Sequence, residues 1–239
     1  MAARIPACEA HRVRVRPDFR RGLRLGIPYA VASSVLALSF GVVAREAGFS
    51  IVAAVAMSAI VYAGASQFAA VGILAQGGGI PAAVGAAALM NSRFLPMGIA
   101  FGPSLPGGPV SRAFQGQPVV DSSWALAIGE DGRFDRWFLF GHSAAQYVGW
   151  TGGTLAGALI GDVIGDPRDF GLDAIFPAFF VAIIFGELRD RVGIAAALSG
   201  AGIALALLSF TPAGVPVLAA GLAALIGLHP RAARTPAST

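Results

Sequence analysis

Met90-Asn91-Ser92-Arg93-Phe94-Leu95-Pro96-Met97 lies inside an apolar run from about Ile80 to Phe101, and its reading decides the fold. Arg93 is the only charged residue between Glu46 and Arg112. An arginine near the centre of a membrane helix costs roughly 2.5–3.5 kcal/mol on insertion scales, so it faces a bundle interior or a wet cavity rather than lipid. Asn91 and Ser92 add hydrogen-bonding groups beside it. Pro96 removes a backbone donor, which opens or kinks a helix just N-terminal to itself. Polar side chains, a fixed cation and a loosened backbone at one depth describe a solute site. The competing reading is structural: Arg93 snorkels to an interface or pairs with a carboxylate elsewhere.

Composition fixes the setting of that run. Hydrophobic residues make up 56% of the chain and charged residues 13%, and the mean hydropathy is +0.71. Soluble domains carry about 25% charged residues, so this chain cannot cover a globular surface with polar groups. The expected fold is an all-α, multi-pass membrane protein. It would be a bundle of roughly seven transmembrane helices of about twenty apolar residues each, embedded in the lipid bilayer. The net charge of +4 comes from arginine alone, since lysine is absent. Much of it precedes residue 25, which is a topology signal and no nucleic-acid footprint. Cys8 is alone, so no disulfide framework or cysteine metal site is available. A phosphate loop needs a lysine that the chain lacks, and His11, His142 and His229 show no metal-ligand spacing. No cofactor, no metal and no enzymatic activity are expected.

Met1 to Arg24 forms a basic arm with Arg4, Arg12, Arg14, Arg16, Arg20, Arg21 and Arg24, which belongs in the cytoplasm. The run Leu25 to Ala44 is of spanning length, longer than the apolar part of a cleaved signal, and Pro28 falls in its first turn. A second apolar segment, about Ile51 to Ala75, carries Tyr62-Ala63-Gly64-Ala65-Ser66-Gln67-Phe68 at its middle. Either the helix is broken there and offers backbone groups to a ligand, or small residues pack closely and Gln67 bonds a neighbouring helix. Pro103 to Asp135 interrupts the pattern as a surface loop or a re-entrant piece. Within it, Asp121 stands where an N-cap would precede a short apolar helix. The alternative for Asp121 is a carboxylate in the bundle that pairs with Arg93, takes a proton or meets a substrate ammonium.

The span from about Trp137 to Ile160 holds Gly149, Gly153 and Gly157 as overlapping G-x-x-x-G pairs that permit close helix approach. His142 and Gln146 share one face by their spacing of four, as a bonded interior pair or a proton relay. The linker Gly161 to Asp173 is acidic. Apolar segments follow near Leu172–Leu188, Val192–Phe210 and Ala213–Leu228, with a charged turn Glu187-Leu188-Arg189-Asp190-Arg191 and a polar tail. The chain thus divides into an arm over 1–24, a permease domain over 25–228 and a tail over 229–239.

Arginine placement orients short loops better than acidic residues do, so both termini are expected in the cytoplasm and the Asp162–Asp169 linker outside. One crossing more or fewer than seven between Ile51 and Asp135 satisfies this. Reporter fusions after Gly165 should therefore read outside and fusions at Thr239 inside; a cytoplasmic signal at Gly165 would overturn the topology.

Several ordered motifs resemble one family. They are Phe19 and Gly22 with Pro28; Met57-Ser58 with Tyr62-Ala63-Gly64-Ala65-Ser66-Gln67-Phe68-Ala69-Ala70; Met90-Asn91-Ser92-Arg93; and Asp121 leading into Trp124-Ala125-Leu126. Trp150-Thr151-Gly152-Gly153-Thr154 and Gly171-Leu172-Asp173 with Phe176-Pro177-Ala178-Phe179 continue the match. Over roughly Phe19 to Leu228 the chain resembles the AzlC family, large subunits of branched-chain amino acid exporters. The resemblance implies a permease of the inner membrane working with a small AzlD-type membrane subunit and exporting valine, leucine, isoleucine or similar amino acids by secondary transport. In one departure, Ser122 stands where a second carboxylate is expected, which counts against proton coupling by that stretch. The resemblance supplies no binding residues; from the cost of placing an arginine in a membrane helix, Arg93 is expected to hold the substrate carboxylate, with Asn91, Gly64, Ser66 and Gln67 completing the polar part. Phe94, Leu95 and Met97 accept an aliphatic side chain, and Asp121 and His142 are the coupling or ion-pair candidates. A non-transporting scaffold subunit and an intramembrane enzyme are the competing classes.

Overall fold

The computed structural model describes residues 15–129, 132–161, 191–212 and 214–228, with single positions 171, 178, 181, 184 and 188 between the second and third of these. The arm as far as residue 14, the acidic linker, the charged turn before Arg191 and the tail lie outside the described residues. So, apart from those single positions, does the segment expected at Leu172–Leu188. What is described is helical, with a lone bridge between Ile128 and Phe134.

Two long helices form the frame. Helix α1 (Val15–Glu46) starts ten residues before the apolar run, with Asp18 in its first turn, where a carboxylate meets the positive helix end. Pro28 is consequently inside the helix instead of in its opening turn. Just beyond it, Ser33 and Ser34 both bond back to the Ala30 carbonyl, at 3.0 and 2.7 Å. The other long helix, α8 (Arg136–Ile160), is capped by the Asp135 carboxylate, which accepts the Trp137 and Phe138 amides at 3.0 Å each.

These two helices run against each other along much of their length, and glycine sets their separation. A methyl group added at Gly26 would stand 2.7 Å from the His142 carbonyl oxygen; at Gly149, 2.7 Å from that of Ala30; at Gly153, 2.5 Å from that of Ser34. Gly22, Gly141 and Gly157 meet the facing backbone just as closely. The partner for the G-x-x-x-G face of α8 is therefore α1, and backbone lies on backbone with no side chain between.

Between α1 and α8 in sequence come short pieces. The second apolar segment is two helices, α2 (Ile51–Ile60) and α3 (Gly64–Ala75). The run around Arg93 is also two, α4 (Ile80–Asn91) and α5 (Phe94–Phe101), the latter extended by a 3-10 turn at Gly102–Ser104. Counted as one crossing, this pair bends by 44°. Helix α6 (Pro109–Gly116) and helix α7 (Asp121–Leu126) fill the stretch without a spanning pattern. Farther on, α9 (Arg191–Leu208), α10 (Val215–Ala220) and a 3-10 stretch Gly221–Leu228 pack on one another, and α10 touches α4.

Seven uniform spans are thus not what the described residues form. Among the described residues, Asp18–Glu46 and Arg191–Leu208 are long and apolar enough to cross a bilayer as single helices. The bent pair through Arg93 reaches that length and apolarity only when its halves are taken together, as a broken span or a re-entrant loop. Helix α8 has the length but carries His142, Gln146, Thr151, Thr154 and its glycines, so composition does not mark it as a span. The burial pattern is inverted relative to a soluble domain. Ser58, Ser66, Gln67, Ser123, His142 and Thr154 have no exposed surface, whereas Val52, Ile99, Leu205 and Phe210 are between 71% and 86% exposed. An apolar exterior on this scale fits lipid or a partner subunit, not water.

Candidate functional site

Two helix breaks and the short helix α6 border a cavity; Asn91, Arg93, Asp121 and the middle of α8 lie outside its lining. The first break is at Val61-Tyr62-Ala63. Tyr62 has φ +46°, the left-handed region that side chains with a Cβ visit at a cost of about 1–3 kcal/mol. Side chains from elsewhere satisfy the carbonyls this break frees. Tyr147 donates to the Ala59 carbonyl at 2.8 Å and Gln117 to that of Ile60 at 3.0 Å. The start of α3 has no side-chain cap; instead Gln67 turns back and accepts the Ala63 amide at 3.2 Å.

Gln67 is fully engaged. Its amide oxygen also accepts from the Trp150 indole at 3.1 Å, and its nitrogen donates to the Ser58 hydroxyl at 3.0 Å. Ser58 in turn pairs with Thr154 at 2.7 Å. Ser66 bonds the Ala63 carbonyl at 2.8 Å, and Gly64 lies against the Trp150 ring, where a Cβ would collide with it. Gly64, Ser66 and Gln67 thus find partners on α2, α8 and the break itself: the helix is broken, as one of the two readings has it, and Gln67 bonds neighbouring helices, as the other has it.

The second break, at Ser92-Arg93, follows from Pro96. Lacking an amide hydrogen, Pro96 cannot bond the Ser92 carbonyl, which takes the Leu95 amide at 3.1 Å instead. Arg93 leaves the helix axis here and meets the Asp121 carboxylate at 3.1 Å, its guanidinium 5.1 Å over the Phe94 ring. The two side chains are 43% and 57% exposed, so neither is sealed off by the rest of the chain. The carbonyl oxygen of the neighbouring Asn91 side chain is buried with no hydrogen-bond partner among the described residues.

Asp121 is not the N-cap of α7. Val120 holds that position, and the Ser123 hydroxyl accepts the Val120 amide at 3.1 Å, leaving the Asp121 carboxylate to Arg93. Ser122 donates to the Gln146 amide oxygen at 3.1 Å, and the Gln146 nitrogen lies 2.9 Å from His142 Nδ1. His142 and Gln146 do share a face, as their spacing requires, and the face points at α7 and α1.

A cavity of about 490 Å3 joins the two breaks, within the usual range of roughly 300–1,000 Å3 for small-molecule sites. Tyr62 borders it from the first break and Phe94 from the second, with Met97, Phe101, Leu105 and Val119 as an apolar wall. Arg112 and Gln117 of the α6 region complete it. Sequence reasoning passed over these two because they fall in a stretch without spanning hydropathy. The available signal was the arginine in a short helix whose apolar side carries Val110 and Phe114.

A family model described as AzlC protein matches residues 28–164, a stretch that contains both breaks, Arg112, Asp121 and His142. An uncharacterized membrane protein of Archaeoglobus fulgidus is 29% identical over 212 residues, covering 86% of this chain and 91% of its own. The inner membrane protein YgaZ of Escherichia coli strain K12 is 27% identical, covering 87% and 90%. The branched-chain amino acid transport protein AzlC of Bacillus subtilis strain 168 is 25% identical, covering 85% and 82%. No solved structure matches the chain.

Proposed function

The chain belongs to the AzlC protein family, and from that premise we propose that it is the large subunit of a secondary transporter. It exports branched-chain or related amino acids across the cell (inner) membrane together with a small AzlD-type membrane subunit. The substrate class is that of the Bacillus subtilis relative's name.

The observation that carries this reading is the cavity between two broken helices. Helices interrupted within the membrane present uncapped amide groups and the positive ends of half-helices, and these suit a substrate carboxylate. Helices α3 and α5 both begin at the breaks that border the cavity. A zwitterionic amino acid would divide the Arg93–Asp121 pair, its carboxylate on the guanidinium and its ammonium on Asp121, with Asn91 as a further acceptor. The aliphatic side chain would lie against Phe94, Met97 and Phe101. Gly64, Ser66 and Gln67 support the backbone at the first break rather than touching the substrate. A second reading has Arg112 receive the carboxylate, because that cation borders the cavity directly.

Cells loaded with labelled leucine should release it several-fold faster when they express this chain with a small AzlD-type subunit. Either subunit alone should give little. Absence of accelerated release of leucine, isoleucine or valine in the co-expressing cells would refute the function. Full-rate transport by the purified chain alone would refute the two-subunit part.

A further inference from the structure

His142 has no exposed surface, and its Nε2 has no hydrogen-bond partner among the described residues. It sits on α8 against α1, with the Tyr29 ring 4.9 Å away and the Phe138 ring at 6.0 Å. A buried imidazole with one nitrogen unused is costly as a purely structural residue. Its other nitrogen is in line with the candidate site: Nδ1 to Gln146 at 2.9 Å, Gln146 to Ser122 at 3.1 Å, and Ser122 adjacent in α7 to Asp121, which holds Arg93 at 3.1 Å.

We propose that His142 is the proton-carrying residue of this transporter, its state passed to the Arg93–Asp121 pair through the Gln146 amide and the Ser122 hydroxyl. The proposal rests on the transport reading above.

The hydrogen-bond directions define the two states. The Gln146 oxygen is committed to the Ser122 hydroxyl, so its NH2 group faces His142 and donates to Nδ1. Nδ1 is then an acceptor, the ring is neutral, and its one proton is on Nε2. When a proton binds Nδ1, both ring nitrogens become donors and the amide NH2 can no longer face the ring. The Gln146 amide turns over, its oxygen accepts Nδ1–H, and its NH2 donates to Ser122, whose own hydroxyl proton must turn away. One proton enters at Nδ1 and one leaves from it when the amide turns back; no other bond forms or breaks.

The protonation state decides the coupling. The charged and titratable groups on this side are Tyr29 of α1, Arg21 of α1 over the Phe138 ring at 5.6 Å, Asp121 of α7, and Arg93. With His142 positive, the Ser122 hydroxyl, next in sequence to Asp121, has its proton free to turn towards that carboxylate, and a substrate ammonium at Asp121 is disfavoured. With His142 neutral, the ammonium is admitted. Proton and amino acid exclude each other, which is the requirement for exchanging an inward proton against an outward amino acid.

Inside-out membrane vesicles containing this chain and the small subunit test the idea. In wild-type vesicles energised to an acidic interior, adding leucine should discharge the pH gradient, read with an acridine dye, as labelled leucine is taken up. His142→Gln and Gln146→Met should each lower gradient-driven uptake and leucine-dependent proton release at least tenfold. Exchange of labelled for unlabelled leucine without a gradient should persist in both. The proposal falls if wild-type vesicles show leucine transport without proton movement, if His142→Gln keeps gradient-driven uptake, or if neither variant accumulates in the membrane. Absence of leucine exchange in wild-type vesicles would instead remove the transport reading itself.

Discussion

Gly153→Leu is expected to leave almost no folded protein, whereas Gly152→Leu, one residue away, should accumulate and extract from the membrane as the wild type does. A side chain at Gly153 would begin 2.5 Å from the Ser34 carbonyl oxygen and 3.0 Å from the Ala37 methyl. At Gly152 nothing lies within 4 Å. Overpacking a well-packed contact costs about 1–3 kcal/mol and occasionally more. Here the obstruction is helix backbone, which cannot swing aside as a rotamer can. Yield of monodisperse protein after detergent extraction and its thermal midpoint are the readouts. A Gly153→Leu variant as stable as Gly152→Leu would show that α1 and α8 are not held at backbone contact.

Arg93→Lys is expected to raise the apparent KM for leucine roughly 10- to 100-fold, about 1.4–2.8 kcal/mol, while membrane levels stay near wild type. Lysine keeps the charge but loses the fork that grips a carboxylate with two parallel hydrogen bonds. The same variant should bind the 2-keto acid of leucine, which keeps the carboxylate and lacks the ammonium, correspondingly less well. Asp121→Asn should act differently, reducing the preference for leucine over that keto acid and leaving keto acid inhibition in place. Competition of each compound with labelled leucine export measures both effects. Equal loss of folded protein in the two variants would assign the pair a static structural role. Loss of carboxylate recognition in Arg112→Gln but not in Arg93→Lys would move the receptor to the cavity wall.

Which of these features could be read from sequence depended on whether the cause was local. Pro96 announced the break at Arg93, because a missing amide acts on its own turn. The glycines of α8 announced a close contact, but nothing in their spacing named α1, whose Ala30, Ser34 and Leu38 meet Gly149, Gly153 and Gly157 across more than a hundred intervening residues. At the first break attention goes to Gly64, since glycine is the usual left-handed residue. The chain turns instead at Tyr62, held by its neighbours, and Gly64 serves to clear room for Trp150. Asp121 had both a capping and a pairing reading, and the decision lay in Ser123, which takes the capping bond from within the same turn. The apolar run Ile51 to Ala75 has spanning length, and the broken-helix alternative for it is the one the folded chain takes, dividing it into α2 and α3. The span expected from about Trp137 to Ile160 is the observed α8, but nothing in its glycines and hydrogen-bonding groups marked it as one of the two framing helices.

The glycine seam also constrains the order of biogenesis. Leu38 leaves the ribosome well over a hundred residues ahead of Gly157, which must contact it, and at about 5–20 residues per second this is a delay on the order of ten seconds. Through that interval α1 stands in the bilayer with a bare, grooved face that lipid tails fill poorly. The pieces from α2 to α7 enter before the groove is closed, so α8 acts as a latch that locks elements already laid down before α9 and α10 follow.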